Sequence, residues 1–103
     1  MEPVALYLKV KVQPGKRDQV RALWEKHPKP RVEASEVQNV YFYSYDDNDE
    51  NTIYMFEHYS DRSAFEANAQ APWFAEYMGE VAPLLAGQPE VGVSTPVWSK
   101  VKV

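Results

Sequence analysis

The segment EHYSDRSAFEANAQAPWF, residues 57–74, decides the fold of this chain. Its first three residues end a run of β-forming residues. Ser60 or Asp61 can cap the helix that follows, because short polar side chains accept hydrogen bonds from the free N–H groups of a first turn. Around Phe65 that helix presents a small apolar face. Pro72 then interrupts it and begins a second helix, since proline at the first helical position loses no hydrogen bond. The segment therefore predicts a strand followed by two helices.

The same signals predict the elements on either side of this segment. Alternating apolar and polar residues predict strands at 4–12, 39–45, 52–59 and 91–97. An apolar stripe at helical spacing predicts a helix from Lys16 that ends before Pro28 and Pro30. A last helix is predicted to stop at Gly87, and the form of residues 31–38 stays open. The order β-α-β-β-α-β is the α+β, ferredoxin-like arrangement, with an antiparallel sheet and helices on one face.

One central strand of this sheet is apolar or aromatic on both faces. Ile53, Met55 and Tyr59 share one face, and alternation places Tyr54 and Phe56 on the other. A sheet face that is not covered by helices is usually polar. We therefore expect two sheets to pack face to face in a homodimer. The alternative is a monomer whose aromatic residues are partly exposed.

Composition excludes several classes of protein. The 103 residues make one domain, 1–103, of which 14% are aromatic. The net charge of −4, without a basic cluster, argues against a nucleic-acid or anionic-membrane partner. No cysteine is present, and the two histidines have no metal-ligand spacing, so we expect no metal site. The start of the chain does not resemble a signal peptide, which favours a cytoplasmic location.

Several short motifs together resemble one known family. They are the turn PGK at residues 14–16 after the first strand, the strand end EHY at 57–59, Asp61 and Phe65 in the following helix, and APWF at 71–74. The chain is similar in these positions to the antibiotic biosynthesis monooxygenases, within the dimeric α+β barrel superfamily. The resemblance implies a homodimer with a pocket between helices and sheet in each subunit. It also implies oxidation of a quinol or anthrone without a cofactor.

The chain departs from the family at three positions. Many quinol oxygenase-like members carry a histidine where this chain has Asn68. Many have a tryptophan at the position of Tyr59, and the anthrone oxygenases and haem degraders pair it with an asparagine where this chain has Met55. The positioning role of that Asn–Trp pair, and haem ligation by the usual histidine, therefore do not carry over to this chain.

The residues that could support chemistry lie mostly in the opening segment. The catalytic candidates are Glu57, Asn68 and Tyr59, and the substrate-binding candidates are Trp24, Met55, Phe65, Trp73 and Phe74. A buried Glu57 would have a raised pKa and could act as a base. It could instead be paired with an arginine or cap backbone groups. Asn68 could bond a ligand or end its helix, and the aromatic residues could simply be core.

Two functions from different classes fit these residues. The first is a cofactor-independent monooxygenase that binds a quinol or polycyclic phenol in its pocket, where burial, a base and hydrogen-bond donors would stabilise the substrate anion. The second is a non-catalytic barrel: a ligand-binding, stress-related or isomerase-like dimer. Fold similarity alone does not choose between them.

Overall fold

The computed structural model describes residues 2–103. Its strands are β1 (Val4–Lys11), β2 (Gln38–Tyr45), β3 (Thr52–Tyr59) and β4 (Glu90–Ser94). Its helices are α1 (Arg17–Lys26), α2 (Pro28–Ala34), α3 (Arg62–Gln70) and α4 (Pro72–Val81), followed by a 3-10 turn (Ala82–Leu84). None of the helices within residues 2–103 has the length and apolar character needed to cross a membrane.

The four strands form one antiparallel sheet in the order β2-β3-β1-β4. β1 pairs with β3 from Val4 opposite Tyr59 to Lys11 opposite Thr52, and its other edge pairs with β4. The helices pack on one face of this sheet. The predicted ferredoxin-like fold is therefore confirmed.

A β-bulge interrupts the pairing of β2 with β3. Gln38 lies opposite Tyr59 and Val40 lies opposite His58, so Asn39 is the extra residue. A bulge shifts the alternation of side chains by one residue. Gln38 therefore faces the helices together with Tyr41, although the two are three positions apart.

Two groups of buried side chains hold the helices on the sheet. The larger group contains Val10, Val12, Val20, Ile53, Tyr77 and Val81, and the smaller contains Val4, Leu6 and Tyr59. A polar contact ties the end of α1 to α4, where the Nε2 of His27 lies 2.5 Å from a carboxylate oxygen of Glu80. Asp61 caps α3, as predicted, by accepting a hydrogen bond from the backbone N–H of Ser63 at 3.0 Å.

The sheet face turned away from the helices, which we call the open face, carries Tyr7, Phe42, Phe56 and His58. The Phe56 ring lies 4.9 Å from that of Tyr7 and 6.2 Å from that of Phe42. Tyr7 is 54% exposed and Phe42 62% exposed. His58 is buried, and its Nδ1 donates to Asn39 Oδ1 at 2.7 Å, but its Nε2 has no hydrogen-bond partner within residues 2–103.

In three places the structure differs from the predicted elements by more than one residue. Pro28 ends α1 but also begins α2, so the first half of the segment left open, residues 31–34, is helical. Both prolines lie in the first turn of α2, where an N–H would have no partner. Gly87 is not a helix stop, because Pro83 ends the α-helical hydrogen bonding earlier and Gly87 does not have a positive φ. β4 ends at Ser94 rather than Val97, and its last pairing with β1 is Ser94 opposite Ala5.

Candidate functional site

A cavity of about 250 Å³ lies between the helices and the sheet. Both buried groups contribute side chains to it, and most of the lining is apolar or aromatic. The lining includes Leu6, Leu8 and Val10 of β1, Gln38 and Tyr41 of β2, Val20 and Trp24 of α1, Pro28 and Val32 of α2, Ala69 of α3, Tyr77, Met78 and Val81 of α4, and Leu85, Pro89 and Val91 near β4. A largely apolar cavity with a few polar groups is typical of a small-molecule site, although this one lies slightly below the usual volume range of roughly 300–1,000 Å³.

The structure brings all eight candidate residues of the sequence analysis to this one cavity. They are Glu57, Asn68, Tyr59, Trp24, Met55, Phe65, Trp73 and Phe74. Strand alternation places Met55, Glu57 and Tyr59 on the face of β3 that the helices cover. Lining a cavity is not a catalytic or binding role, and the roles assigned to these residues stay predictions.

Glu57 is the acidic group of the cavity. Its Oε1 accepts a hydrogen bond from Gln38 Nε2 at 2.9 Å and a longer one from the Tyr59 hydroxyl at 3.4 Å. Both donors bond the same oxygen. Oε2 has no hydrogen-bond partner within residues 2–103. The side-chain atoms in this part of the chain that are both enclosed and unpartnered are the Tyr43 hydroxyl and His58 Nε2, so Oε2 is not enclosed. Oε2 is therefore accessible from the cavity.

Burial raises the pKa of Glu57 to about 7, and the hydrogen bonds from Tyr59 and Gln38 limit the rise. Both bonds favour the ionised form, whereas removal from water disfavours it. No arginine pairs with this carboxyl in the part of the chain described, so the arginine-paired alternative considered for Glu57 was wrong. A carboxyl with a pKa near neutrality can both accept and release a proton under physiological conditions.

Tyr59 and Asn68 extend the hydrogen-bonded chain from Glu57 to α3. Asn68 Nδ2 donates to the Tyr59 hydroxyl at 3.2 Å. Burial, more than any other effect, raises the pKa of Tyr59 to about 12, so Tyr59 stays a neutral donor near neutral pH. The backbone carbonyl of Asn68 also accepts the N–H of Ala71 where α3 ends. The Asn68 side chain does not cap α3, whose C-cap is Ala71, and a hydrogen bond from Asn68 to a ligand stays a prediction.

Aromatic side chains form much of the cavity wall. Trp24 Nε1 donates to the Tyr41 hydroxyl at 3.0 Å, and that hydroxyl contacts the Met55 sulfur at 3.3 Å. On α4 the rings of Trp73 and Phe74 meet edge to face. The Arg31 guanidinium lies 4.5 Å from the centre of the Trp73 ring and does not line the cavity. The wall is therefore held by aromatic contacts and neutral hydrogen bonds.

Sequence reasoning missed three polar residues of the cavity: Gln38, Tyr41 and Tyr77. The alternation of β2 could have found Tyr41, and the apolar stripe of the last helix could have found Tyr77. No signal in the sequence pointed to Gln38, because the bulge at Asn39 brings it to the helix-covered face.

Solved structures show the same fold over nearly the whole chain. Rv0793 from Mycobacterium tuberculosis is 24% identical, with a TM-score of 0.83 over 96% of this chain and 99% of that one. A Caulobacter crescentus protein provisionally named an antibiotic biosynthesis monooxygenase is 18% identical, with a TM-score of 0.85 over 94% and 92%. NE2512 from Nitrosomonas europaea, of unknown function, is 18% identical, with a TM-score of 0.80 over 100% and 97%. At these identities the likeness shows the fold alone.

A match to the sequence model of a family identifies the family of a chain, whereas the structural likeness above identifies only its fold. No curated protein matches the chain. The family model for antibiotic biosynthesis monooxygenases matches residues 3–80, which include β1 to β3, α1 to α3 and most of α4. The chain therefore belongs to the antibiotic biosynthesis monooxygenase family.

Proposed function

We propose that this protein is a cofactor-independent monooxygenase that acts on a small quinol or polycyclic phenol in the cavity between sheet and helices. The observation that carries the proposal is Glu57, a carboxyl with a pKa of about 7 whose Oε2 opens onto an otherwise apolar, aromatic cavity. A base in such surroundings can take a proton from a bound hydroxyl or an activated CH₂ group. The flat apolar walls suit a planar ring system.

The reaction needs no electron source other than the substrate. Glu57 Oε2 would take a proton from the phenol or from the CH₂ group next to its ring. The resulting anion would give electrons to O₂. In an anthrone the CH₂ group would become a carbonyl with release of one water: CH₂ and O₂ yield C=O and H₂O. In a quinol or naphthol one ring C–H carbon would gain the oxygen atom and the ring would be oxidised to a quinone, again with one O₂ consumed and one water released. Gln38 and the Tyr59 hydroxyl are the neutral donors that bond Glu57, and the Asn68 amide donates to Tyr59 beside them. Donors placed before the reaction stabilise charge as it forms.

The direct test is oxygen consumption. Purified protein, treated with a chelator and free of flavin, would be mixed with each of a panel of anthrones, naphthols and hydroquinones. The reactions would be run in ¹⁸O₂, and the products would be identified by mass spectrometry. One labelled oxygen atom in the product is expected. Oxygen uptake no faster than the buffer rate across the panel would reject the oxygenase. Saturable binding without turnover would instead support the non-catalytic ligand-binding barrel.

A matched pair of variants connects turnover with the proposed base. Glu57→Gln keeps the size of the side chain and removes the base, so we expect kcat to fall by about 10²-fold or more. Glu66→Gln removes the same charge from an exposed position of α3 and should leave kcat unchanged. Equal rates in the two variants would show that Glu57 is not the base.

We also propose that a second copy of the chain covers the open face. The exposed aromatic rings of Tyr7 and Phe42 on the open face support this proposal. Sedimentation should give a dimer at micromolar concentration, and Phe42→Ser should shift the mass towards the monomer. A monomeric parent protein would contradict the proposal. We place this dimer in the cytoplasm, which fractionation of expressing cells would test.

A further inference from the structure

The cavity contains one group that carries charge near neutral pH. Glu57 is the single acid among the lining residues, and within the part of the chain described no lysine, arginine or histidine lines the cavity. The other titratable lining groups are Tyr41, Tyr59 and Tyr77, and burial raises the pKa of each. The cavity thus combines an apolar wall with a single anionic acceptor and no cation.

The geometry at Glu57 determines which ligand atom can meet that acceptor. Gln38 and Tyr59 both donate to Oε1, and Oε2 is left for a ligand. A ligand hydroxyl or N–H can donate to Oε2, whereas a ligand oxygen without hydrogen cannot. A ligand carboxylate would bring a second negative charge into an apolar space.

We propose that the cavity selects uncharged ligands that donate a hydrogen bond to Glu57 Oε2 and excludes organic anions of the same shape. This selectivity refines the proposed function, since it names neutral phenols as the ligand class, but it concerns binding and holds whether or not oxygen is reduced. The group that imposes it is Glu57, which acts here as a specificity-determining residue.

The surroundings of Glu57 offer an anion no compensating charge. Leu6 of β1 and Tyr41 of β2 are its lateral neighbours in the sheet. On the helix side, Asn68 of α3 and Tyr77 of α4 line the same cavity. Arg31 lies over the Trp73 ring but outside the lining. Every group that faces Glu57 is therefore neutral near neutral pH.

The selectivity must depend on pH in a defined direction. Above about pH 7 Glu57 is ionised, so it repels an anion and accepts a hydrogen bond from a neutral phenol. Below pH 7 it becomes a neutral acid, which can itself donate to a carboxylate. Exclusion of anions should therefore be strongest at high pH and should weaken as the pH falls.

Isothermal titration calorimetry with 2-naphthol and 2-naphthoate would test the proposal. The two probes share one ring system and differ in the polar group, and work without oxygen prevents turnover. At pH 8 we expect 2-naphthol to bind at least about tenfold more tightly than 2-naphthoate. Between pH 8 and pH 6 the affinity for 2-naphthoate should rise, while naphthol affinity should not rise with it.

Two variants assign the effect to Glu57. In Glu57→Gln the preference for 2-naphthol should shrink to within about threefold, because an amide does not repel a carboxylate. Glu66→Gln should keep the full preference. If Glu57→Gln does not fold, the pH series of the unaltered protein still decides.

Equal affinities for the two probes at pH 8, tighter binding of 2-naphthoate, or weak binding of both would overturn the proposal. The first two outcomes would leave the oxygenase proposal standing. Selective binding of 2-naphthol together with no oxygen uptake would reject the oxygenase proposal and leave the proposed selectivity standing.

Discussion

Replacement of Glu57 by glutamine should change the stability of the fold in a way that depends on pH. The pKa of this carboxyl rises from an ordinary 4.5 to about 7 because the fold removes it from water. A raised pKa in the folded state means that the stability contributed by the protonated acid is complete below about pH 4.5. It is lost as the pH rises through 7. Glutamine does not titrate, so its contribution stays constant.

The size of the effect follows from the two pKa values. At about 1.4 kcal/mol per pH unit, the rise from 4.5 to about 7 corresponds to a cost of about 3 kcal/mol when Glu57 is fully ionised. Most of this cost develops between pH 5 and pH 8. Relative to the parent protein, Glu57→Gln should therefore gain about 2 to 3 kcal/mol in free energy of unfolding across that range.

Urea unfolding at a fixed protein concentration and at several pH values would measure the difference. The concentration must be constant because a dimer would make stability depend on it. Glu66→Gln, the exposed control, should stay within about 0.5 kcal/mol of the parent. A difference between Glu57→Gln and the parent that does not change with pH would refute a buried, desolvated Glu57. So would a difference that falls as the pH rises.

Two further predictions follow from single hydrogen bonds. Tyr59→Phe removes a donor that favours ionised Glu57, so the pKa of Glu57 should rise further, by roughly half a pH unit. The midpoint of the profile of kcat/KM against pH should then move to higher pH. An unchanged midpoint would show that the 3.4 Å contact between Tyr59 and Glu57 does not affect the ionisation of Glu57. Asp61→Ala removes the side-chain cap of α3 and should destabilise the fold by about 1 kcal/mol in urea unfolding. Asp47→Ala, a control in the exposed turn between β2 and β3, should stay within about 0.5 kcal/mol of the parent.

The sequence predicted the strands and the cavity-facing side of β3 because alternation is a local property. Ile53, Met55 and Tyr59 could be placed on one face without knowledge of the rest of the molecule. The helix after Pro28 was harder to predict, since proline is compatible with both the end of one helix and the beginning of the next. That Glu57 Oε2 has no hydrogen-bond partner within residues 2–103 could not be predicted, because it depends on Gln38 of β2 and Tyr59 of the same strand both donating to Oε1.

The resemblance to the family located the cavity better than it described its chemistry. Tyr59 and Asn68 replace residues that many members use, yet in the structure they form a hydrogen-bonded chain that ends on Glu57. When motifs alone are compared, Tyr59 and Asn68 count only as positions that lack the residues many family members have. Their geometry provides a different set of polar groups in the same place, around a carboxyl whose pKa is near neutrality.

The bulge at Asn39 makes the chemistry of the cavity depend on how the start of β2 pairs with β3. If Asn39 paired regularly opposite Tyr59, Gln38 would fall on the other face of the sheet, and the Oε1 of Glu57 would lose its shorter hydrogen bond. Tyr41, Tyr43 and Tyr45 would keep their partners on β3. A change of pairing at this strand end can thus retune the acidity of the site while the helices and the rest of the sheet stay in place. Relatives that pair regularly here are expected to share the fold and differ in their ligands.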